Sequence, residues 1–222
     1  MEKTLIIKNT KYKIINSTNN EFFYYAVIEK DDKKYFIKKL KKMTKEYKDS
    51  INCEISFLKN NNIKYIPKIY DYELDNFIVY DYIDGKNLKQ VNLDAKKSIQ
   101  TIIKLCNILK EVHDLGFSHN DIKQSNIMID NDDVYLIDFG NCSFFKEKVN
   151  FYSKRTAAVE ILNRENVDNV SDIYSIGVVL KELNKDNNKE INDIVKKCIY
   201  TDKTKRYQSV IELKNELLKI NL

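Results

Sequence analysis

Residues 118–127 read Ser-His-Asn-Asp-Ile-Lys-Gln-Ser-Asn-Ile, and residues 134–140 read Val-Tyr-Leu-Ile-Asp-Phe-Gly. The first stretch gathers an acid, a cation and an amide (Asp121, Lys123 and Asn126). The second ends a short apolar run on another acid, Asp138, just before Phe139 and Gly140. Either stretch alone has an ordinary reading: Asp-Phe-Gly is a turn, and a lone His-x-Asp is weaker still. In this order and at this spacing, the ordinary reading loses most of its weight.

Phosphoryl transfer needs little covalent help from protein. It needs a cation to grip phosphate, carboxylate and amide groups to bind metal, and a group to orient the attacking hydroxyl. The chain supplies these in one order. Upstream, YFIKKL (35–40) provides Lys38 on a strand-like run, and CEISFL (53–58) provides Glu54 on a helical one. In isolation both would be solvated surface charges; their place relative to the later motifs reverses that reading.

With these pieces in view the chain resembles the eukaryotic-like (Hanks-type) serine/threonine protein kinase family along nearly its whole length. His119, Asp121, Lys123 and Asn126 match the family's H-R-D-x-K-x-x-N loop, and Asp138-Phe139-Gly140 matches D-F-G. The resemblance implies that Asp121 orients the substrate hydroxyl and that Lys123, the serine/threonine signature, steadies the γ-phosphate. It implies that Asn126 and Asp138 hold Mg2+, and that Lys38, paired with Glu54, meets the α- and β-phosphates of ATP. FIVYDYIDG (77–85) resembles the hinge, with Tyr80 as gatekeeper and the backbone of Asp81 and Ile83 at the adenine edge. Asn87 then falls near the ribose, Met128 under the ring, and Phe23 and Phe36 at the roof of the adenine site. The implied acceptor is a protein.

Three further anchors belong to the same resemblance. Ala158-Val159-Glu160 stands where the family has A-P-E. Ser171–Gly177 matches S-D-x-W-S-x-G, whose Asp (Asp172 here) holds the catalytic-loop backbone. Asp202 and Arg206 match a late D-x-x-x-R element, which predicts a buried Arg206–Glu160 pair.

The departures are as specific. The glycine-rich loop is replaced by Asn16-Ser17-Thr18-Asn19-Asn20-Glu21. Asn, which tolerates left-handed backbone angles, is a partial substitute, and Glu21 is repulsive to phosphate unless it points to solvent. Phe23 and Phe36 stand where the family has Val and Ala; Phe36 either fills the adenine slot or stacks on the base. Asn120 replaces the arginine that normally receives an activation-segment phosphate, so activity is expected not to depend on phosphorylation of Ser143, Tyr152, Ser153 or Thr156. Ser153 stands where the family has a Thr touching the catalytic Asp. The gap between residues 183 and 190 is too short for the helix that the family usually carries there.

The pattern predicts an α+β, two-lobed kinase-like fold. A β-rich N-lobe covers about residues 1–80, a hinge about 81–85, and a mainly helical, shortened C-lobe about 86–222. Strands are expected over 4–17, 21–30, 33–40, 68–73 and 77–82, with a turn at Asp84-Gly85 and a short β pair at NIMID and DVYLI. Helices are expected over 44–60, 95–116, 171–183, 189–199 and 206–220. A net charge of +5 without a basic stripe gives no call for nucleic acid. Cys53, Cys106, Cys142 and Cys198 are scattered and read as reduced, buried thiols of a cytoplasmic protein. No run approaches the ~18 apolar residues of a membrane span. Two alternatives stay open: a pseudokinase acting as a binding or regulatory module, and a small-molecule kinase of the aminoglycoside or choline type. The second lacks a counterpart for Lys123, the 171–177 helix and the Arg206–Glu160 pair. Substrate identity and oligomeric state are not written in the sequence.

Overall fold

The structure, a computed structural model, describes residues 3–149 and 152–221. It divides into two units, Met1–Asn62 with Pro67–Asp84, and Ile63–Ile66 with Gly85–Leu222. The first unit is β-rich and the second mainly helical.

The first unit holds β1 (Thr4–Ile7), β2 (Thr10–Asn19), β3 (Phe23–Lys30), β4 (Lys33–Leu40), α1 (Lys45–Asn60), β5 (Ile69–Glu73) and β6 (Phe77–Asp81). The strands form one antiparallel sheet in the order β1-β2-β3-β4-β6-β5. The expected strand over 4–17 is two strands. Lys8 and Asn9 both take positive φ (45° and 66°) and turn the chain back on itself. Asp31 and Asp32 (52° and 59°) do the same between β3 and β4. Such two-residue turns match the right-handed twist of a hairpin, which is why Asn and Asp serve here without glycine.

Alternation along the strands gives the sheet two chemically different faces. Ala26, Ile28, Tyr35, Ile37 and Val79 pack with Ile7 and Tyr12 into an apolar cluster. The opposite face carries Phe23, Tyr25 and Val27 of β3, Phe36 and Lys38 of β4, and Ile78 and Tyr80 of β6, by their cross-strand register. In α1, Ile51, Ile55 and Leu58 are buried on the same helical face as Glu54, the spacing of successive turns.

The second unit holds β7 (Lys86–Asn87), α2 (Ala95–Asp114), β8 (Phe117–Ser118), β9 (Ile127–Asp130), β10 (Asp133–Leu136) and β11 (Ser143–Phe144). It continues with α3 (Val159–Leu162), α4 (Asn169–Leu183), α5 (Lys189–Cys198) and α6 (Val210–Leu217). β9 lies between β10 and β7, and β8 pairs with β11. No turn forms at Asp84-Gly85, contrary to expectation. Gly85 serves close approach: a Cβ there would lie 2.6 Å from the carbonyl oxygen of Ile129 on β9. Gly116, at φ 79°, does end α2 as the sequence implies.

The last helix starts later than residue 206. Ser209 accepts from the Glu212 N–H at 3.2 Å and caps α6, whereas Lys203–Lys205 form a single 3-10 turn. Between α4 and α5 only residues 184–188 intervene. Asn184 fills that gap, its amide donating to Asn188 O at 3.1 Å and Asn192 Oδ1 at 2.9 Å. Among the described residues no helix is long and apolar enough to cross a membrane.

Candidate active site

On the mixed face of the first sheet, the Lys38 ammonium donates to Glu54 Oε2 at 2.8 Å, with the residues 5% and 1% exposed. Charges so far from water are tolerated when they are paired. The Phe23 ring centroid lies 5.0 Å from Lys38 Nζ. From Phe23 a row of rings runs across the strands: Phe23–Tyr25 at 5.9 Å, Tyr25–Phe36 at 6.0 Å and Phe36–Tyr80 at 6.1 Å. Phe36 is half-buried and stacks on Tyr25 at an interplanar angle of 20°. Tyr25 was missed in the sequence. Its signal is register, since it stands opposite Lys38, and register is not visible before the hairpin is known. Asp81 closes β6, donating its N–H to Lys68 O at 3.0 Å and pairing its carboxylate with Lys33 at 3.2 Å. Ile83 is half-buried in the segment without regular structure that follows.

In the second unit the loop between β8 and β9 brings the polar groups together. Asp121 Oδ2 accepts from Lys123 Nζ at 2.6 Å and from Asn126 Nδ2 at 3.1 Å. Its other oxygen, Oδ1, is buried and has no hydrogen-bond partner among the described residues. Lys123 also donates to Ser153 Oγ at 3.0 Å. Asn126 O accepts from Ile137 N–H at 3.0 Å, and Ile137 O receives His119 Nε2 at 3.2 Å. These two bonds clamp the residue preceding Asp138, which itself is half-buried with φ at 69°. A left-handed aspartate is uncommon and persists where its surroundings over-determine it. Phe139 is fully buried with its ring 4.7 Å from that of His119. The Asp121 N–H meets His119 Nδ1 at 3.2 Å, so both ring nitrogens of His119 are engaged.

Asp172 holds the loop from below. Its oxygens accept from the N–H groups of His119 at 2.8 Å and Asn120 at 2.9 Å, and from His113 Nε2 at 2.9 Å. Burial alone pushes this carboxyl up; His113 and the His119 N–H outweigh it and leave the pKa below the ordinary value. Asn87 and Met128 face each other across the β7–β9 pair. Asn87 Oδ1 is engaged in capping, accepting from Lys89 N–H at 3.0 Å.

A protein kinase domain is recognised over residues 22–188 of this chain. The chain belongs to the protein kinase family. It is 29% identical over 197 residues to a probable serine/threonine-protein kinase of Clostridium acetobutylicum, covering 68% of this chain and 30% of that protein. It is 25% identical to the serine/threonine-protein kinase PknB of Mycolicibacterium smegmatis, over 65% of this chain and 30% of the other. It is 26% identical to the human myosin light chain kinase family member 4, over 77% of this chain and 50% of that one. The chain therefore spans half or less of the length of these relatives.

One feature of the β2–β3 turn differs from what the sequence implies. None of Asn16, Asn19 and Asn20 takes a positive φ. Instead Asn20 Oδ1 accepts from the N–H groups of Phe22 and Phe23, shaping the β2–β3 turn by a side chain. Glu21 is exposed and paired with Lys42, so its charge is offset locally. Asn120 sits at φ 63° and donates to Asn141 O and Ser143 Oγ, both at 3.0 Å. A neutral amide thus ties the β8–β9 loop to the segment after Gly140.

Proposed function

We propose that this chain transfers the γ-phosphate of ATP to serine or threonine hydroxyls of a protein substrate. In this reading Asp121 orients the hydroxyl and takes its proton, while Lys123 steadies the γ-phosphate. Lys38, braced by Glu54, meets the α- and β-phosphates. Phe23, Phe36 and Met128 contact the base, the backbone of Asp81 and Ile83 meets its edge, and the Asn87 amide nitrogen reaches the ribose. Residues 1–80 and 86–222 serve as the two lobes of one kinase domain, joined by 81–85.

The observation that carries the proposal is the asymmetry of Asp121. One oxygen is fixed by a lysine and an amide, and the other is buried with no hydrogen-bond partner among the described residues. An unpaired buried carboxylate oxygen costs free energy, and a substrate hydroxyl is the donor that would relieve it. Asn126 and Asp138 suit Mg2+, which takes few protein ligands and completes its shell with water and phosphate oxygens. Bound there, it would offset charge on the β- and γ-phosphates. The serine/threonine kinase names of the relatives support the protein acceptor.

A second reading, a weak or inactive kinase acting as a binding or regulatory module, is favoured by the aromatic row and the glycine-free turn. Nothing specific favours a small-molecule acceptor. Purified protein, Mg2+ and labelled ATP with a generic basic protein separate the readings. Label on serine or threonine supports the proposal, nucleotide binding without transfer supports the second reading, and neither binding nor transfer removes the proposal and leaves the second reading standing.

A further inference from the structure

The turn between β2 and β3 is held from outside as well as by Asn20. Just past β4, the Lys41 N–H donates to Phe22 O at 2.8 Å. The Lys41 ammonium then reaches back to the same turn, donating to Asn19 Oδ1 at 3.0 Å and Asn20 O at 2.8 Å. Lys42 pairs with Glu21 on the other side of it. Phe22 stacks on Tyr47 of α1, with centroids 4.3 Å apart and an interplanar angle of 25°. The adjoining Phe23 meets Tyr47 edge-on at 5.7 Å and lies over Lys38. Tyr47 and Glu54 are seven residues apart on one helical face. The turn, the Lys38–Glu54 pair and α1 are therefore linked through a short chain of contacts.

We propose that Lys41 is a positioning residue for nucleotide: its ammonium keeps the β2–β3 turn in one arrangement before ATP binds. The proposal rests on the phosphoryl-transfer reading above. A glycine loop is mobile and must be ordered when ligand arrives, at an entropic cost. Here the backbone is restrained in advance by side chains, which compensates for amides that approach phosphate less freely than those of glycine. The sequence records this as a lysine directly after a strand, with nothing to separate it from the nearby Lys39 and Lys42.

The test compares wild type with Lys41→Met and Lys41→Arg in the full chain. Calorimetric titration with a non-hydrolysable ATP analogue and Mg2+ is combined with steady-state kinetics. Loss of two solvent-exposed hydrogen bonds predicts that Lys41→Met raises Kd and KM for nucleotide about three- to tenfold. It leaves kcat and Tm as in wild type, and Lys41→Arg, which keeps a donor, restores affinity. Unchanged Kd in Lys41→Met overturns the proposal, as does a joint fall in Tm and kcat without a change in KM. If Lys41→Met folds poorly, Lys41→Gln, which removes the ammonium but keeps a polar side chain, takes its place, and an unchanged Kd there overturns the proposal. Absence of nucleotide binding by the wild type refutes the nucleotide reading itself, a result distinct from equal binding by all variants.

Discussion

Arg206 sets its two terminal nitrogens against the two oxygens of Glu160, Nη1 to Oε1 at 2.7 Å and Nη2 to Oε2 at 2.9 Å. The remaining donors are used as well: Nε on Tyr200 O at 2.7 Å, Nη1 on Val170 O at 3.1 Å and Nη2 on Thr201 O at 3.2 Å. Ser171 adds a hydrogen bond to Glu160 at 2.7 Å. The pair ties α3, the start of α4 and the segment after α5 together at a point with almost no solvent contact. Removing one partner strands the other, so Arg206→Ala is expected to cost about 3–5 kcal/mol. Urea unfolding checks this, and a variant within about 1 kcal/mol of wild type would show the pair to be dispensable.

Acid should weaken the fold through the same buried carboxylates. Burial raises the Glu160 pKa, and hydrogen bonds from Arg206 and Ser171 more than reverse this, leaving it below its ordinary value, as with Asp172. A carboxyl depressed in the folded state stabilises it above the unfolded pKa, about 4. That contribution disappears as pH falls through the lower native value. Urea midpoints should hold down to about pH 5 and decline from about pH 4 downward, more steeply in wild type than in Asp172→Asn. Equal slopes would mean that Asp172 does not contribute.

Phosphatase treatment should leave activity unchanged. The segment after Gly140 is fastened to the β8–β9 loop by the neutral amide of Asn120, and Ser153 already meets Lys123 without a phosphate. A large drop in kcat after dephosphorylation, checked by intact mass, would contradict this.

Gly177 lies inside α4, where alanine would ordinarily be the better helix former. A Cβ there would sit 2.4 Å from Cys198 Cβ and 2.9 Å from Ile199 Cγ2. Gly177→Ala should therefore destabilise by about 1–3 kcal/mol through overpacking, despite its gain in propensity. A raised Tm would show that α4 and α5 can separate at little cost.

How much of this was legible depended on whether a feature is written in residue order or in register. Lys38, Glu54, Asp121 and Asp138 could be picked out by order alone. The Arg206–Glu160 pair followed from motif positions in the same way. The function of Gly85 could not, because its reason is the carbonyl of Ile129 on a strand that comes later in the chain. The split of residues 4–17 hinged on positive φ at Lys8 and Asn9, and lysine gives no such signal. β7, β8 and β11 are two residues long, too short for any periodicity to register. Asn20 was noted for backbone tolerance, whereas it acts through its side chain. The half-satisfied Asp121 has no sequence signature at all.

Asp121 is the residue on which phosphoryl transfer by this chain would most directly depend. Replacing it with Asn keeps shape and the Lys123 and Asn126 neighbours but removes the proton acceptor. The decisive measurement is single-turnover transfer from labelled ATP by wild type and Asp121→Asn, at saturating nucleotide. The expected result is a loss of about 10²- to 10⁴-fold in rate with nucleotide affinity retained. Equal rates in the two proteins would contradict the assignment of Asp121 and, with it, the proposed chemistry.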